Sequence, residues 1–170
     1  MEIRLVQEED LLRYFDFIRS TFVDTYAEVN SKQNMMLYLT NNLSNQQLKK
    51  EVENPNCHFY IALENDTILG YLKLNQGEAQ TETSDLDALE IERIYVNSNI
   101  QGKGIGKKLI DFCKEESKKR KSSFLWLGVW ENNENALGFY KHMGFEIFDT
   151  HSFKLGNEDQ RDYLMKWRNE

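Results

Sequence analysis

The sequence predicts an α+β chain of α/β/α layers, with a mixed, mostly antiparallel sheet of six to seven strands flanked by four or so helices. Runs such as Leu89-Glu90-Ile91-Glu92-Arg93-Ile94-Tyr95-Val96 alternate apolar with polar residues, the period of a half-buried strand. Leu11, Tyr14, Phe15, Ile18 and Phe22 recur instead at three- and four-residue steps, the period of an amphipathic helix. Phe124-Leu125-Trp126-Leu127-Gly128-Val129-Trp130 is almost continuously apolar, as a strand at the centre of a sheet should be.

Along the chain, Ile3-Arg4-Leu5-Val6 opens as a short strand, and Glu8-Glu9-Asp10 places acid charge where the first helix begins. Ser31 caps a second helical region with Met35, Met36, Leu39 and Leu43 as its apolar stripe. The pattern continues through Leu48 and Val52, across a break near residues 41–45, until Pro55 stops it. Phe59–Leu63 and Ile68–Leu74 are strands joined by Glu64-Asn65-Asp66-Thr67, whose residues suit a tight hairpin. Residues 75–88 contain no apolar run and read as a loop before the strand 89–96. A glycine-rich turn and a helix follow, with Ile105, Leu109, Phe112 and Cys113 on one face. After the central strand, Asn132 or Asn133 caps a helix carrying Ala136, Leu137, Phe139, Tyr140 and Met143, which ends at Gly144. Phe145–Phe148 and Tyr163–Trp167 close the sheet, with a hairpin as one arrangement. No internal repeat or linker interrupts the chain, so residues 1–170 are expected to be one domain.

Composition removes several classes of function. A chain of 170 residues buries roughly 70% of its unfolded surface and needs no metal or disulfide to hold a core. Lys and Arg number 21 against 28 Asp and Glu, a net charge of −7 that argues against nucleic acid as a partner and permits a cationic one. No apolar run approaches a membrane span, and the first ten residues turn acidic where a signal peptide needs apolar ones. The expectation is a cytoplasmic protein without a membrane partner. Cys57 and Cys113 have no zinc-type spacing, and His58, His142 and His151 are too scattered for a metal site, so none is expected. Cys113 lies on an apolar helix face and reads as core.

The densest chemical signal follows the strand 89–96. In Gln101-Gly102-Lys103-Gly104-Ile105-Gly106, three glycines at alternate positions leave backbone N–H groups open at the start of a helix. That arrangement binds anions and suits a pyrophosphate. Residues 101–121 carry eight basic and three acidic side chains, a local surplus on an acidic protein. A Walker loop is excluded, because Gly106-Lys107 has neither a glycine at 101 nor a hydroxyl at 108. A Rossmann fingerprint would require Gly or Ala where Lys107 stands.

These residues resemble the GNAT superfamily of acetyl-CoA-dependent N-acetyltransferases. Gln101–Gly106 fits that family's Q/R-x-x-G-x-G/A loop, and Asn133-Glu134-Asn135-Ala136-Leu137-Gly138-Phe139-Tyr140-Lys141-His142-Met143-Gly144-Phe145 looks like its N-x-x-A-x-x-F-Y-x-x-x-G-F segment. The order of elements over the whole chain is also the family's. Leu89–Val96, Trp126–Ala136, and the tail around His151-Ser152-Phe153 and Gly156-Asn157-Glu158-Asp159-Gln160 look more specifically like the bacterial PaiA-type spermidine/spermine acetyltransferases.

The resemblance implies direct transfer of acetyl from acetyl-CoA to an amine, with Tyr140 donating a proton to the coenzyme A thiolate. Glu92 is the candidate base, acting directly or through water, and strict alternation puts Glu90, Glu92 and Ile94 on one strand face. The main chain of Ile94, Tyr95 and Val96 is expected to pair with the pantetheine amides, and Gln101, Gly102, Lys103, Gly104, Ile105, Gly106 and Lys107 to hold the pyrophosphate. Asn133, Asn135 and Lys141 complete the expected cofactor contacts. For the acceptor, Glu78, Glu82, Asp85, Asp87, Glu90 and Glu92 make residues 78–92 wholly acidic, either as a mobile charged loop or as a lining that attracts a polycation. Glu82, Asp85, Asp87 and Glu90 are the acidic contacts of that second reading, with Phe22 and Tyr26 as an apolar wall. The leading expectation is a polyamine N-acetyltransferase, monomeric or homodimeric. Alternatives keep the chemistry on a protein N-terminus, a lysine or another small amine, or keep the fold as a non-catalytic acyl-CoA-binding regulator.

Overall fold

The computed structural model describes residues 1–82, 85–155 and 158–168. Strands β1 (Glu2–Leu5), β2 (Cys57–Glu64), β3 (Thr67–Gln76), β4 (Leu89–Val96), β5 (Leu125–Trp130), β6 (Glu146–Leu155) and β7 (Glu158–Trp167) form one sheet in the order β1-β2-β3-β4-β5-β7-β6. Every neighbouring pair is antiparallel except β4 with β5. Helices α1 (Leu11–Tyr26), α2 (Lys32–Asn42) and α3 (Asn45–Val52) pack on one face, and α4 (Ile105–Arg120) and α5 (Glu134–His142) on the other. The expected α/β/α layering is present, with five α-helices among the described residues. Among the described residues no helix is long and apolar enough to cross a membrane.

Local chemistry accounts for the element boundaries. The Gln7 N–H donates to Asp10 Oδ2 at 2.9 Å, and Asp10, fully buried, also accepts from Arg4 and Arg13, tying β1 to the start of α1. The broken helical pattern is two helices with one serine cap each: Ser31 Oγ accepts from Asn34 N–H, and Ser44 Oγ from Gln47 N–H. Met36, expected on the apolar stripe, is 69% exposed, because the stripe of α2 runs through Met35 and Leu39 instead. Asn65 and Asp66 both have positive φ, which gives the β2–β3 hairpin the turn whose twist matches its strands.

Two apolar clusters sandwich the sheet. Tyr14, Ile18, Phe22, Leu43 and Leu48 close on Phe59, Ile61 and Tyr71 beneath α1–α3. Ile105, Leu109 and Cys113 close on Leu72, Leu89, Ile91 and Leu127 beneath α4, so Cys113 is core, with no exposed surface. The closing hairpin is longer than the apolar pattern predicts. β6 and β7 pair from Glu146–Lys166 out to Leu155–Glu158, although both carry mostly polar residues in their outer halves. Gly156 and Asn157, part of the tail resemblance, lie outside the described residues.

Candidate active site

The parallel pair creates a gap in the sheet. β4 and β5 are in register only at Leu89–Leu125 and Glu90–Trp126, and beyond Glu90 the two strands part. Asn97 N–H donates to Leu69 C=O at 2.9 Å, so by alternation Tyr95 and Arg93 turn their main chain to β3, while Ile94 and Val96 turn theirs to the gap. An open strand edge of this kind accepts an extended, amide-bearing ligand as an added strand. Two of the three expected main-chain contacts therefore face the gap. Tyr95 does not; its ring lies on the α1–α3 face, stacked on Tyr71 with centroids 5.4 Å apart.

At the far end of β4 the chain makes an anion cradle. Gly102 and Gly104 have φ of +80° and +77°, and a Cβ on either would meet nothing within 4 Å, so the space above the turn is open. No side chain caps α4 at Gly104, and Lys108 N–H to Gly104 C=O is its first helical bond. The amides of Ile105, Gly106 and Lys107 thus have no partner within the helix and carry its positive end. These residues fit a pyrophosphate. Gly106 serves a different purpose: a Cβ there would lie 3.5 Å from the Phe139 ring, so it seats α5 against α4. Lys107 pairs with Asp111 at 2.6 Å, and Gln101 and Lys103 are exposed beside the turn.

The bulge in β4 rearranges the expected carboxylates. Lys73 stands opposite Arg93 and Leu74 opposite Ile91, so Glu92 is an extra residue in the strand. The pleat is broken there, and Glu90, Glu92, Arg93 and Tyr95 all turn to the α1–α3 face, while Ile94 turns to the other. Strict alternation had paired Ile94 with the two glutamates. Glu92 joins a buried ring of two cations and two carboxylates: its Oε2 lies 2.5 Å from Lys73 Nζ, its Oε1 3.2 Å from Arg93, and both cations reach Glu51 of α3 at 2.9 Å. Burial pushes the Glu92 pKa up, but Arg93 and Lys73 outweigh it and hold the carboxyl below its ordinary value.

Glu90 is the reverse case. It is 2% exposed and has no cation against it, and burial, with Glu92 nearby, pushes its pKa up to about 7 despite hydrogen bonds from Thr81 and Asn75. Thr81, itself exposed, holds its Oγ 2.5 Å from Glu90 Oε1 and so joins the buried carboxyl to solvent. Asn75 donates to both glutamates, at 3.1 and 2.5 Å.

Tyr140 lies on α5 against Phe139 and Phe145. Burial raises its pKa above the ordinary phenol range, and the nearby Tyr26 phenol adds to the effect, so the hydroxyl keeps its proton at neutral pH. Tyr26, at the end of α1, holds its OH 3.3 Å from that of Tyr95. Tyr26 therefore stands where the two helical layers meet across the gap. Phe22 is buried and stacks on Tyr38 at 4.5 Å, so it backs Tyr26 and does not form a wall itself. Asn133 spends its side-chain oxygen on capping α5, accepting from Ala136 N–H at 3.1 Å, and Asn135 and Lys141 are exposed on the same helix.

The acidic loop is divided. Glu82 Oε1 lies 2.7 Å from His151 Nδ1 of β6. Asp85 accepts from Ser123 Oγ at 2.8 Å and from the Asp87 N–H, so Asp85 and Asp87 sit before β4, at its paired end away from the gap. Lys73, Asn75, Glu51 and Asp162 belong to this region although the sequence pattern does not single them out, and His151 joins them from the tail that carries the resemblance. Lys73 and Asn75 share the strand face of Tyr71, a period-2 signal already present in β3.

Known proteins resemble the chain in sequence and in fold. The sequence profile of the acetyltransferase (GNAT) family matches residues 16–145. An uncharacterized N-acetyltransferase in the pepI 3′ region of Lactobacillus delbrueckii subsp. lactis is 40% identical over 98% of this chain and 96% of its own. A spermidine N(1)-acetyltransferase of Thermoplasma acidophilum is 24% identical, over 98% of this chain and 96% of its own. The crystal structure of a PaiA N-acetyltransferase from that organism, in complex with coenzyme A, has the same fold, with a TM-score of 0.79 at 23% identity over 99% of this chain and 98% of its own.

Proposed function

The chain belongs to the acetyltransferase (GNAT) family, and on that premise we propose that it acetylates a primary amine of a polyamine such as spermidine or spermine. Acetyl-CoA supplies the acyl group as an activated thioester. The observation that carries the reading is the gap beyond Glu90 and Trp126, with an anion cradle at one end and carboxylates on the α1–α3 face. The likeness to a relative named for spermidine supports the polyamine as the cation, as does the net charge of −7.

Within that reading, Ile94 and Val96 align the pantetheine arm along the open edge of β4, and the amides at the start of α4 bind the pyrophosphate. A polyamine nitrogen is protonated at neutral pH and must lose a proton before its lone pair forms the new N–C bond. Glu92 was the base expected from the strand pattern, but its carboxylate is committed to Lys73 and Arg93. Glu90 takes the role, because a base whose pKa is about 7 is half ionised at working pH and regains its proton readily. Its exposed partner Thr81 passes the proton inward. Tyr140 gives its proton to sulfur as the C–S bond breaks, and the same burial that makes its phenol a weak acid raises the basicity of a thiolate beside it.

Release of free coenzyme A from acetyl-CoA, measured against spermidine, spermine, monoamines and peptides, tests the assignment. Spermidine or spermine should turn over well above background and above the peptides. Equal rates across the panel would remove the polyamine. Tyr140→Phe should lower kcat about a hundredfold with acetyl-CoA KM nearly unchanged.

A further inference from the structure

We propose that Asp162 of β7 is the carboxylate that receives a positive charge of the acceptor, displacing His151, which faces it in the free protein. The inference rests on the amine-acetyltransferase reading above and adds the residue that selects cationic acceptors.

Asp162 reaches the acceptor side through the register of the sheet. Trp130 stands opposite Asp162 and Gly128 opposite Leu164, while Glu90 stands opposite Trp126. Opposed residues share a face, and Trp126, Gly128 and Trp130 alternate on one side of β5. Glu90, Gly128 and Asp162 therefore look out over the same face, Glu90 from β4 and the other two from β5 and β7. Gly128 is exposed in mid-strand, and a Cβ there would lie 3.4 Å from Asp162 Oδ2. The carboxylate leans over bare backbone, into room that a larger residue at 128 would fill.

This carboxylate is also underused. Its side chain is only 13% exposed, and its Oδ1 is buried with no hydrogen-bond partner among the described residues. Its Oδ2 has His151 Nε2 at 3.7 Å, too far for a hydrogen bond. An ionised carboxylate can accept about four hydrogen bonds, and native structures seldom bury one so poorly served unless a ligand completes it. The neighbouring Arg161 gives Asp162 no relief, because it is engaged with Glu131 at 2.5 Å. The charged groups that face His151 are Glu82, from the loop before β4, and Asp162, from β7. Two carboxylates around one imidazole leave a net negative site.

The position is coupled to the reacting centre. The charge of Asp162 is felt at the Tyr26 phenol, and the Tyr26 phenol is felt in turn at Tyr140. Asp162 and the proposed proton donor are thus two distinct positions, each within electrostatic reach of Tyr26. A polyamine suits that separation, since one nitrogen can be held while another reacts. Asp162, with Glu82 and against the effect of burial, raises the His151 pKa, so a protonated ring competes with the acceptor as pH falls.

The test is equilibrium binding of spermidine by calorimetry in the presence of coenzyme A, at pH 6 and pH 8, together with kcat and KM. Asp162→Asn should weaken spermidine binding and raise its KM about tenfold or more with little change in kcat, whereas Asp159→Asn, an exposed charge on the same strand, should change neither. Wild-type protein should bind spermidine more weakly at pH 6 than at pH 8, and His151→Gln should flatten that difference. Unchanged binding in Asp162→Asn, an equal loss in Asp159→Asn, or a fall in kcat alone would overturn the proposal while leaving polyamine acetylation intact. Wild-type turnover of a peptide amine but not of spermidine would overturn the polyamine reading instead, and the same two aspartate variants then judge Asp162 on that peptide.

Discussion

Glu90 and Glu92 stand two residues apart on β4, yet their surroundings push their protonation in opposite directions. Glu92 is ringed by Lys73 and Arg93, and Glu90 is buried without a cation, its pKa near 7. Separated titrations in adjacent carboxyls are how one site divides proton-handling from charge-holding. Glu90→Gln should therefore abolish the acidic limb of the kcat/KM profile, whereas Glu92→Gln should lower activity while keeping the limb. Stability reports the same carboxyl with its own sign. A carboxyl whose folded pKa is raised favours folding while protonated and loses that contribution as pH climbs from its unfolded value near 4.5 toward 7. Relative to wild type, Glu90→Gln should thus gain thermal stability between pH 5 and pH 8. Glu92→Gln should cost about 3 kcal/mol throughout the neutral range, because it leaves Lys73 and Arg93 to share Glu51 in a buried site. Thermal melts of both variants across that range measure the contrast.

The turn into α4 shows what an element can and cannot declare in advance. Its three glycines are equally visible in sequence, but they do unequal work. Gly104 holds a left-handed φ of +77° at the helix start with open space around it, so Gly104→Ala costs only backbone strain, about 1 kcal/mol. The new methyl projects into the anion cradle, so the acetyl-CoA KM should rise severalfold. Gly106 has ordinary helical φ, and its added Cβ would meet Phe139 at normal contact distance, so Gly106→Ala should be neutral or stabilising by about 1 kcal/mol. Thermal melts and acetyl-CoA saturation curves separate the two. The cradle and the helices were legible because local periodicity and turn residues specify them. The bulge at Glu92 was not, because it depends on Lys73 pairing with Arg93 across strands, and one inserted residue moves every later side chain to the other face. Asp162 was invisible for a related reason: the residues before it in sequence are polar, and only the register of β7 on β5 brings it over Gly128. The outer halves of β6 and β7 offer no alternation to read, and each is a strand because the other pairs with it.

Across the whole molecule the surplus of acid is a matter of position more than amount. Residues 101–121 carry the basic surplus beside the cradle, and residues 78–92 carry six acidic groups with no Lys or Arg. The fold then spends half of those six locally. Glu92 is neutralised by its ion pairs, Glu90 is buried near its titration point, and Asp85 is tied to Ser123 at the paired end of β4. Glu82 is different, because its partner His151 also faces Asp162. Removing Glu82 takes away a negative charge beside His151 and Asp162, and that loss opposes an incoming cation. Glu82→Gln should raise the spermidine KM about two- to fivefold, the range of a partly exposed charge, while Asp85→Asn and Asp87→Asn should change it little. Salt distinguishes this from a shape effect. The Debye length falls from about 10 Å at 0.1 M to about 3 Å at 1 M ionic strength, so the difference between Glu82→Gln and wild type should shrink as salt is added. Equal effects from all three variants would make the acidic loop a diffuse attractant, and no effect from Glu82→Gln would confine acceptor recognition to the far side of the gap.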